Sequence, residues 1–403
     1  MNGVLAVLRN GGIAALMLGH FTVDSYVGVL PVLYPVLIGR FHLDLATVGL
    51  LSLAYTGLAS ISQPVFGLVA DRWGTRFVGG ALLWTAAWFA SLGFMPSFPL
   101  LLAAAAVAGL GSGCFHPLGA LMVRALLPVR HANAAMSVYV SGGAFGVATG
   151  PLLGVAALVL FGIGGTAALL VPGLAAAVFL VFYLRNREAG PSARAGDGER
   201  RVPVPVIPLA ATILLMMSRS WVEVVLQAFI PTWYHQLGYG PWFYGPLATV
   251  VILGSALGTI GCGSLADRYG RRAVVLWALV LSIPAVALFA AFPGPQAFVT
   301  AAVVGFLAAS TAPLMLMVAQ ELIAARAGFA SGLVMGVGFL AGAVGAPVTG
   351  AIADHIGLQA ALMLQVVVVL LTIPIALLLP SEEFLRRHRE TGVASAPVPA
   401  GGE

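Results

Sequence analysis

Gly67-Leu-Val-Ala70-Asp71-Arg72-Trp-Gly74-Thr-Arg76 stands in a short break between two apolar runs, and 196 residues further on the chain writes it again as Gly263-Ser-Leu-Ala266-Asp267-Arg268-Tyr-Gly270-Arg-Arg272. The same interval recurs outward from this stretch. Pro35 lands on Pro231, Gly109 and Pro117 on Gly305 and Pro313, and Arg130 on Arg326. Gly142, Gly146, Pro151 and Gly154 land on Gly338, Gly342, Pro347 and Gly350. Matches at Ala or Leu would be cheap in so apolar a chain; matches of Asp, Arg and Pro at one ungapped offset are not. The chain is a tandem repeat of two like halves.

Composition says what the halves are made of. Of 403 residues 60% are hydrophobic and 8% charged, against roughly 25% charged in a soluble domain. The charged residues are 19 arginines, no lysine and 14 carboxylates, and fifteen of them fall in 185–205 and 381–403. The remaining 18 cannot cover a soluble surface. Soluble enzymes, nucleic-acid binders and disulfide scaffolds are excluded as whole-chain readings. Cys114 and Cys262 both lie in apolar runs, give no disulfide framework and show no metal-ligand spacing, so no metal is expected. The N-terminus runs into its first apolar stretch without a small-residue cleavage site, which reads as a span rather than a signal peptide.

A bilayer-crossing helix needs about 20 apolar residues. Gly, Pro and Arg clusters cut the chain into twelve such segments: 12–38, 46–70, 77–95, 99–126, 133–160, 165–184, 206–236, 242–266, 273–292, 297–324, 328–353 and 358–380. Backbone polar groups in lipid must be satisfied within the segment, so these are helices. The expected fold is all-α and integral to the membrane: two six-helix bundles, 1–184 and 206–380, related by a pseudo-twofold axis along the membrane normal. They are joined by a polar linker, 185–205, and followed by a disordered tail, 381–403. Arg9, Arg72, Arg76, Arg130, Arg185, Arg187, Arg268, Arg271, Arg272, Arg326 and Arg386 share one side with both termini, and Arg40 stands alone on the other. The positive-inside rule makes the arginine-rich side cytoplasmic.

Ionisable groups within spans are costly and are functional candidates. His20 and Asp24, spaced i,i+4, share one face of the first span near mid-membrane. Asp24 suits a proton carrier, because its charge can be favoured or disfavoured as its surroundings change. Arg219 and Glu223 form a second i,i+4 pair in the seventh span, at nearly the same depth; the repeat sets them opposite Val23 and Val27. Arg219 could bind an anionic substrate or hold Asp24 ionised, or the pair could neutralise itself; Glu223 is a rival proton site. His116 precedes Pro117 in the fourth span. Arg124 and Glu321 lie toward the inner mouth as a gate or as interfacial residues. Phe21, Phe115 and Phe145 are the aromatic candidates for a cavity; Trp233, Tyr234 and Trp242 fit an outer aromatic belt.

The decamer and its copy resemble the loop signature of the major facilitator superfamily of secondary transporters, over residues 12–380. The resemblance implies that Gly67, Asp71, Arg72, Gly74 and Arg76, with Gly263, Asp267, Arg268, Gly270 and Arg272, latch the halves in one access state. It also implies that spans 1, 4, 7 and 10 line a central cavity, where His116 would face His20 and Asp24. Gly142-Gly143-x-x-Gly146-x-x-x-Gly150-Pro151-x-x-Gly154 is similar to the family's antiporter motif, departing from it at Ser137 and Val155, and reads as tight helix packing. More narrowly, Gly19-His20-Phe21-x-x-Asp24, Gln63-Pro64-x-x-Gly67, Gly111-Ser112-x-x-Phe115-His116-Pro117 and Gly142-Gly143-x-Phe145-Gly146 resemble the fosmidomycin-resistance branch of bacterial drug exporters. That resemblance brings Gln63 into the substrate-binding set. Leu118, where the branch has an acidic residue, and Ala105, where many exporters have arginine, put the substrate in doubt.

The chain lacks a P-loop, having no lysine at all, and carries neither H-E-x-x-H nor G-x-S-x-G. The expectation is a transporter and not an enzyme, without cofactor, driven by a proton gradient. It would be a monomeric, multi-pass exporter of small amphipathic or anionic compounds in the bacterial inner membrane. Proton-coupled uptake of a small organic anion or metabolite is the alternative.

Overall fold

The computed structural model describes residues 10–126, 132–184, 204–309, 311–323 and 327–394. The first helix, α1, is Gly11–Phe41. Its 31 residues rise about 46 Å at 1.5 Å each, more than the hydrocarbon core requires. Asn10 caps it by accepting from Gly12 N at 3.0 Å, and His42 ends it in the left-handed region at φ 53°, returning its N–H to Ile38 O. Helix α2 runs as Leu45–Ser52, a wide π turn Leu53–Gly57, and Leu58–Trp73. Then follow α3 (Val78–Ser91), α4 (Phe98–Leu126), α5 (Ala132–Phe161) and α6 (Leu170–Leu184). The second half holds α7 (Val206–Gln236), α8 (Pro241–Tyr269), α9 (Arg271–Ala291), α10 (Ala297–Ala309 and Ala312–Leu322), α11 (Ala327–Ile356) and α12 (Leu358–Met363 and Gln365–Ala376).

Among the described residues, ten helical stretches are long and apolar enough to cross a bilayer. One of them, 50 residues long, contains both α5 and α6, which turn back on each other through the tight Gly162–Leu169 helix; with the shorter Val78–Phe94 this makes the twelve expected spans. The repeat is visible in the lengths. The 31 residues of α1 are answered by 31 in α7, and the 30 of α5 by 30 in α11. It is visible again in the pairing: α1 packs on α5 as α7 packs on α11, α2 on α4 as α8 on α10, and α3 on α6 as α9 on α12.

The α1–α5 contact shows why small residues are needed. Gly142, Gly146 and Gly150 lie against the backbone carbonyls of Met17, Phe21 and Ser25, and Gly154 and Pro151 against Val29 and Gly28. A Cβ at Gly146 would overlap the Phe21 carbonyl oxygen, so the two backbones touch directly, as small-residue interfaces in membranes do.

The halves meet through α2 on α11 and α5 on α8, at the end opposite the arginine-rich loops. Gly49 abuts Pro347, and Gly350 abuts the Leu45 carbonyl. The Asp354 carboxylate accepts from Leu45 N at 2.8 Å and Ala46 N at 3.0 Å. Asp44 takes Thr47 N at 2.7 Å. Three of the four orphan N–H groups that open α2 are thus satisfied by carboxylates, two of them by the other half. Tyr34 and Phe229 face each other nearby, ring centroids 6.4 Å apart.

Two expectations need correcting. The tenth span is not continuous: it breaks before Ala312, with Pro313 in the first turn of the second piece, a position where a missing N–H costs nothing. The tail is not featureless: Glu382–Ala394 is a helix, α13, with Glu382 and Glu383 in its first turn. Glu382 grips Arg271 on α9, and Leu385 is buried against Val318 and Leu322 of α10. The linker 185–203, Arg130 and Arg326 lie outside the described residues.

Candidate functional site

Four groups from three helices of the first half converge at mid-depth. On α1, His20 Nε2 stands 3.2 Å from Asp24 Oδ2. From α4, His116 Nε2 stands 3.1 Å from Asp24 Oδ1. On α5, the Tyr139 ring stacks on His20 at 4.2 Å between centroids, and its hydroxyl donates to the His116 carbonyl at 3.4 Å. Gly143 closes the fourth wall: a Cβ there would lie 2.5 Å from both Asp24 Oδ2 and His20 Nε2. The second glycine of the Gly142-Gly143 pair therefore makes room for side chains, while the first makes room for backbone.

Backbone carbonyls fix the imidazoles. His20 Nδ1 lies 2.8 Å from Tyr139 O, and His116 Nδ1 lies 2.7 Å from Ser112 O. A carbonyl only accepts, so each Nδ1 carries the proton and each Nε2 points at the carboxylate. Each of the two Nε2–Oδ contacts becomes a hydrogen bond only when a proton lies between nitrogen and oxygen. A bare carboxylate with two neutral imidazoles has none; one added proton satisfies one contact and a second satisfies both. His20 is almost fully buried, while the His116 side chain is 26% exposed and Asp24 15% exposed, so the cluster has an open side.

The second half does not add to this cluster. Arg219 Nη2 binds Glu223 Oε2 at 2.8 Å on the same helix, and Gln227 Nε2 donates to Glu223 Oε1 at 3.4 Å. Arg219 lines an apolar cavity inside its own bundle, with Leu215, Val222, Leu307, Thr311 and Thr372. Asp24 takes its partners from two histidines of its own half, not from Arg219, as the alternative reading of Arg219 had it. The i,i+4 spacing on α7 brings Glu223 within reach of the guanidinium.

The other sequence candidates fall as follows. Phe115 is fully buried, its ring 6.2 Å from His20 and against Gly19, so it is packing between helices and not a cavity wall. Phe145 is 52% exposed on α5 and stands outside the cluster. Phe21 and Gln63 are half-buried, Phe21 meeting Gly146 through its carbonyl. Gly74 and Gly270 end their helices at φ 74° and 83°, conformations that favour glycine. Gly67 has nothing within 4 Å of a Cβ position, so it marks no close helix approach here. Arg72, Arg76 and Arg268 are exposed and lie over Trp73, Phe77 and Tyr269, and Asp267 is exposed; Arg272 is half-buried. The side chains of Asp71 and Arg124 and the surroundings of Gly263 lie outside the described residues. Glu321 is held by Arg271 in two bonds of 3.0 and 3.2 Å, inside its own half.

A family model described as Major Facilitator Superfamily matches residues 16–248 and 209–400, reaching across both halves. The chain belongs to the major facilitator superfamily. It is a multi-pass membrane transporter for a small molecule, of the secondary, alternating-access kind. The fosmidomycin resistance protein of Escherichia coli (strain K12) is 28% identical over 359 residues, 87% of this chain and 88% of that protein. An uncharacterized MFS-type transporter of Bacillus subtilis (strain 168), YfnC, is 30% identical over 380 residues, 91% and 92% of the two chains. Among solved structures, a bacterial homolog of the human lysosomal transporter Spinster, in an inward-facing and occupied conformation, aligns with a TM-score of 0.75 at 18% identity, over 96% of this chain and 98% of that one.

Sequence reasoning missed three contributors: the Ser112 and Tyr139 carbonyls, and Asp354. Asp354 had a signal, being a lone carboxylate near the end of an otherwise apolar span. The carbonyls had none.

Proposed function

We propose that this superfamily member is a proton-coupled exporter of small amphipathic or anionic compounds, seated as a monomer in the bacterial cytoplasmic membrane with both termini inside. The observation that carries the reading is the Asp24 carboxylate held between two imidazoles whose Nδ1 atoms are already committed. Such a cluster takes up and releases protons in step with its exposure. A rocking of the two bundles about the seam between α2–α11 and α5–α8 would expose it first to one side and then to the other. The seam is closed where Asp354 caps α2, which supports a cleft open toward the arginine-rich, cytoplasmic side. In this reading Arg219 offers an anionic substrate a cation once the cleft is occupied. The name of the relative in Escherichia coli supports drug efflux and antibiotic resistance as the setting.

The test is reconstitution in vesicles with the internal pH followed as phosphonates and other candidate compounds are added. Export in exchange for protons moves the internal pH with substrate, and Asp24→Asn abolishes that movement while leaving substrate binding partly intact. Full proton-coupled transport by Asp24→Asn refutes the assignment.

A further inference from the structure

The count of lone pairs that gives the cluster room for two protons gives it equal room for one divalent cation, and we propose that His20 Nε2, His116 Nε2 and the Asp24 carboxylate form a binding site for a first-row transition-metal ion of the Zn2+ class. Three ligand atoms, one from each residue, lie within 4.8 Å of one another. His20 Nε2 stands 3.2 Å from Oδ2 and His116 Nε2 3.1 Å from Oδ1, one imidazole against each carboxylate oxygen. In a tetrahedral site with bonds of about 2.0–2.1 Å, neighbouring donors stand roughly 3.3 Å apart. With all three donors inside 4.8 Å, rotation of the carboxylate and small shifts of the imidazoles bring them to that spacing around an ion.

The surroundings point the same way. A histidine that ligates through Nε2 almost always donates its Nδ1–H to a carbonyl or carboxylate, which fixes the ring and its tautomer. Both histidines do so, to Tyr139 O and Ser112 O. Gly143 keeps the space beside the donors clear. Two imidazoles and one carboxylate suit Zn2+, Co2+ or Ni2+, whereas Mg2+ and Ca2+ want oxygen alone. Three protein ligands leave at least one coordination position for water or for an oxygen of a bound solute, on the side where His116 is exposed. The repeat places Met216, Ser220 and Ala312 at the equivalent positions of the second half, so the stoichiometry is one ion per chain. No metal-ligand spacing is visible along the chain, because the ligands lie on two spans, with Asp24 and His116 standing 92 residues apart.

The proposal stands apart from what drives transport, because binding is measured without a gradient. Full-length protein in detergent, freed of any histidine tag and stripped with chelator, is titrated with Co2+ and followed by visible absorption. The expected result is one Co2+ per chain with the intense bands of a four- or five-coordinate centre, displaced by Zn2+ and not by Mg2+. His116→Gln and Asp24→Asn weaken binding at least tenfold, and Glu223→Gln leaves it unchanged. A second measurement needs no variant: Zn2+ protects the partly exposed His116 from diethylpyrocarbonate while His42 and His235 stay reactive. Absence of saturable Co2+ absorption, retention of wild-type affinity in both variants, or no selective protection overturns the proposal. Metal binding without proton-coupled transport would refute the exporter reading and leave this one intact; proton-coupled transport without metal binding does the reverse.

Discussion

The two halves are built alike and do opposite things with their charges. In the first, a carboxylate on α1 is shared by imidazoles from α1 and α4 and walled by α5, so three helices depend on one group. In the second, Arg219 and Glu223 neutralise each other on a single helix. At the positions 196 residues on from His20, Asp24, His116, Tyr139 and Gly143, the chain has Met216, Ser220, Ala312, Met335 and Phe339. A duplicated scaffold has kept its glycines, prolines and loop signature and placed the carboxylate–imidazole cluster in one copy. Shared packing does not imply shared function; the difference lies in about five side chains.

That contrast can be broken at its centre. Asp24→Asn is expected to cut gradient-driven transport by roughly a hundredfold or more in vesicles, because it removes the carboxylate that both imidazole Nε2 atoms face. Glu223→Gln, which disturbs an i,i+4 pair on α7, should cost less than tenfold in the same assay; equal losses would mean that the halves share the work. Asp354→Asn removes a charged acceptor from two backbone N–H groups. Hydrogen bonds to charged groups contribute about 1.5–3 kcal/mol, so the closed seam should weaken by roughly tenfold to a hundredfold in population. Accessibility of a cysteine placed beside Gly49 to a membrane-impermeant thiol reagent measures it. Gly143→Ala sharpens the contrast from the packing side. Its methyl would press on Asp24 and His20, and transport should fall about tenfold while expression and fold are retained. Gly336→Ala in α11 meets nothing within 4 Å and should instead raise thermal stability by about 0.5–1 kcal/mol, the usual gain of alanine over glycine within a helix.

Much of this architecture was legible because lipid enforces it. Segment lengths, the 196-residue interval and the arginine bias led directly to paired helices of matching length. Proline was a poorer guide. Pro117 sits inside an unbroken α4, while Pro313 opens the second piece of a divided α10; whether a missing N–H breaks a helix depends on neighbours that the pattern does not name. The amphipathic tail helix escaped notice for a similar reason, since what holds it is Arg271, more than a hundred residues away. At the site, His20 and Asp24 could be paired by helical spacing, and His116 was brought opposite them by the family resemblance. The partners that aim the imidazoles could not be found, because every residue has a carbonyl and only the fold says which ones point inward. Phe115 illustrates the same limit: an aromatic beside a functional histidine is as able to wedge two helices as to touch a solute.

The seam between the halves joins a carboxylate to peptide nitrogens, not to a side chain. No substitution at Leu45 or Ala46 short of proline can delete their half of these bonds, so among the seam's contacts this one is controlled from Asp354. Tuning this contact is therefore a one-sided matter, adjustable from the second bundle and nearly fixed from the first.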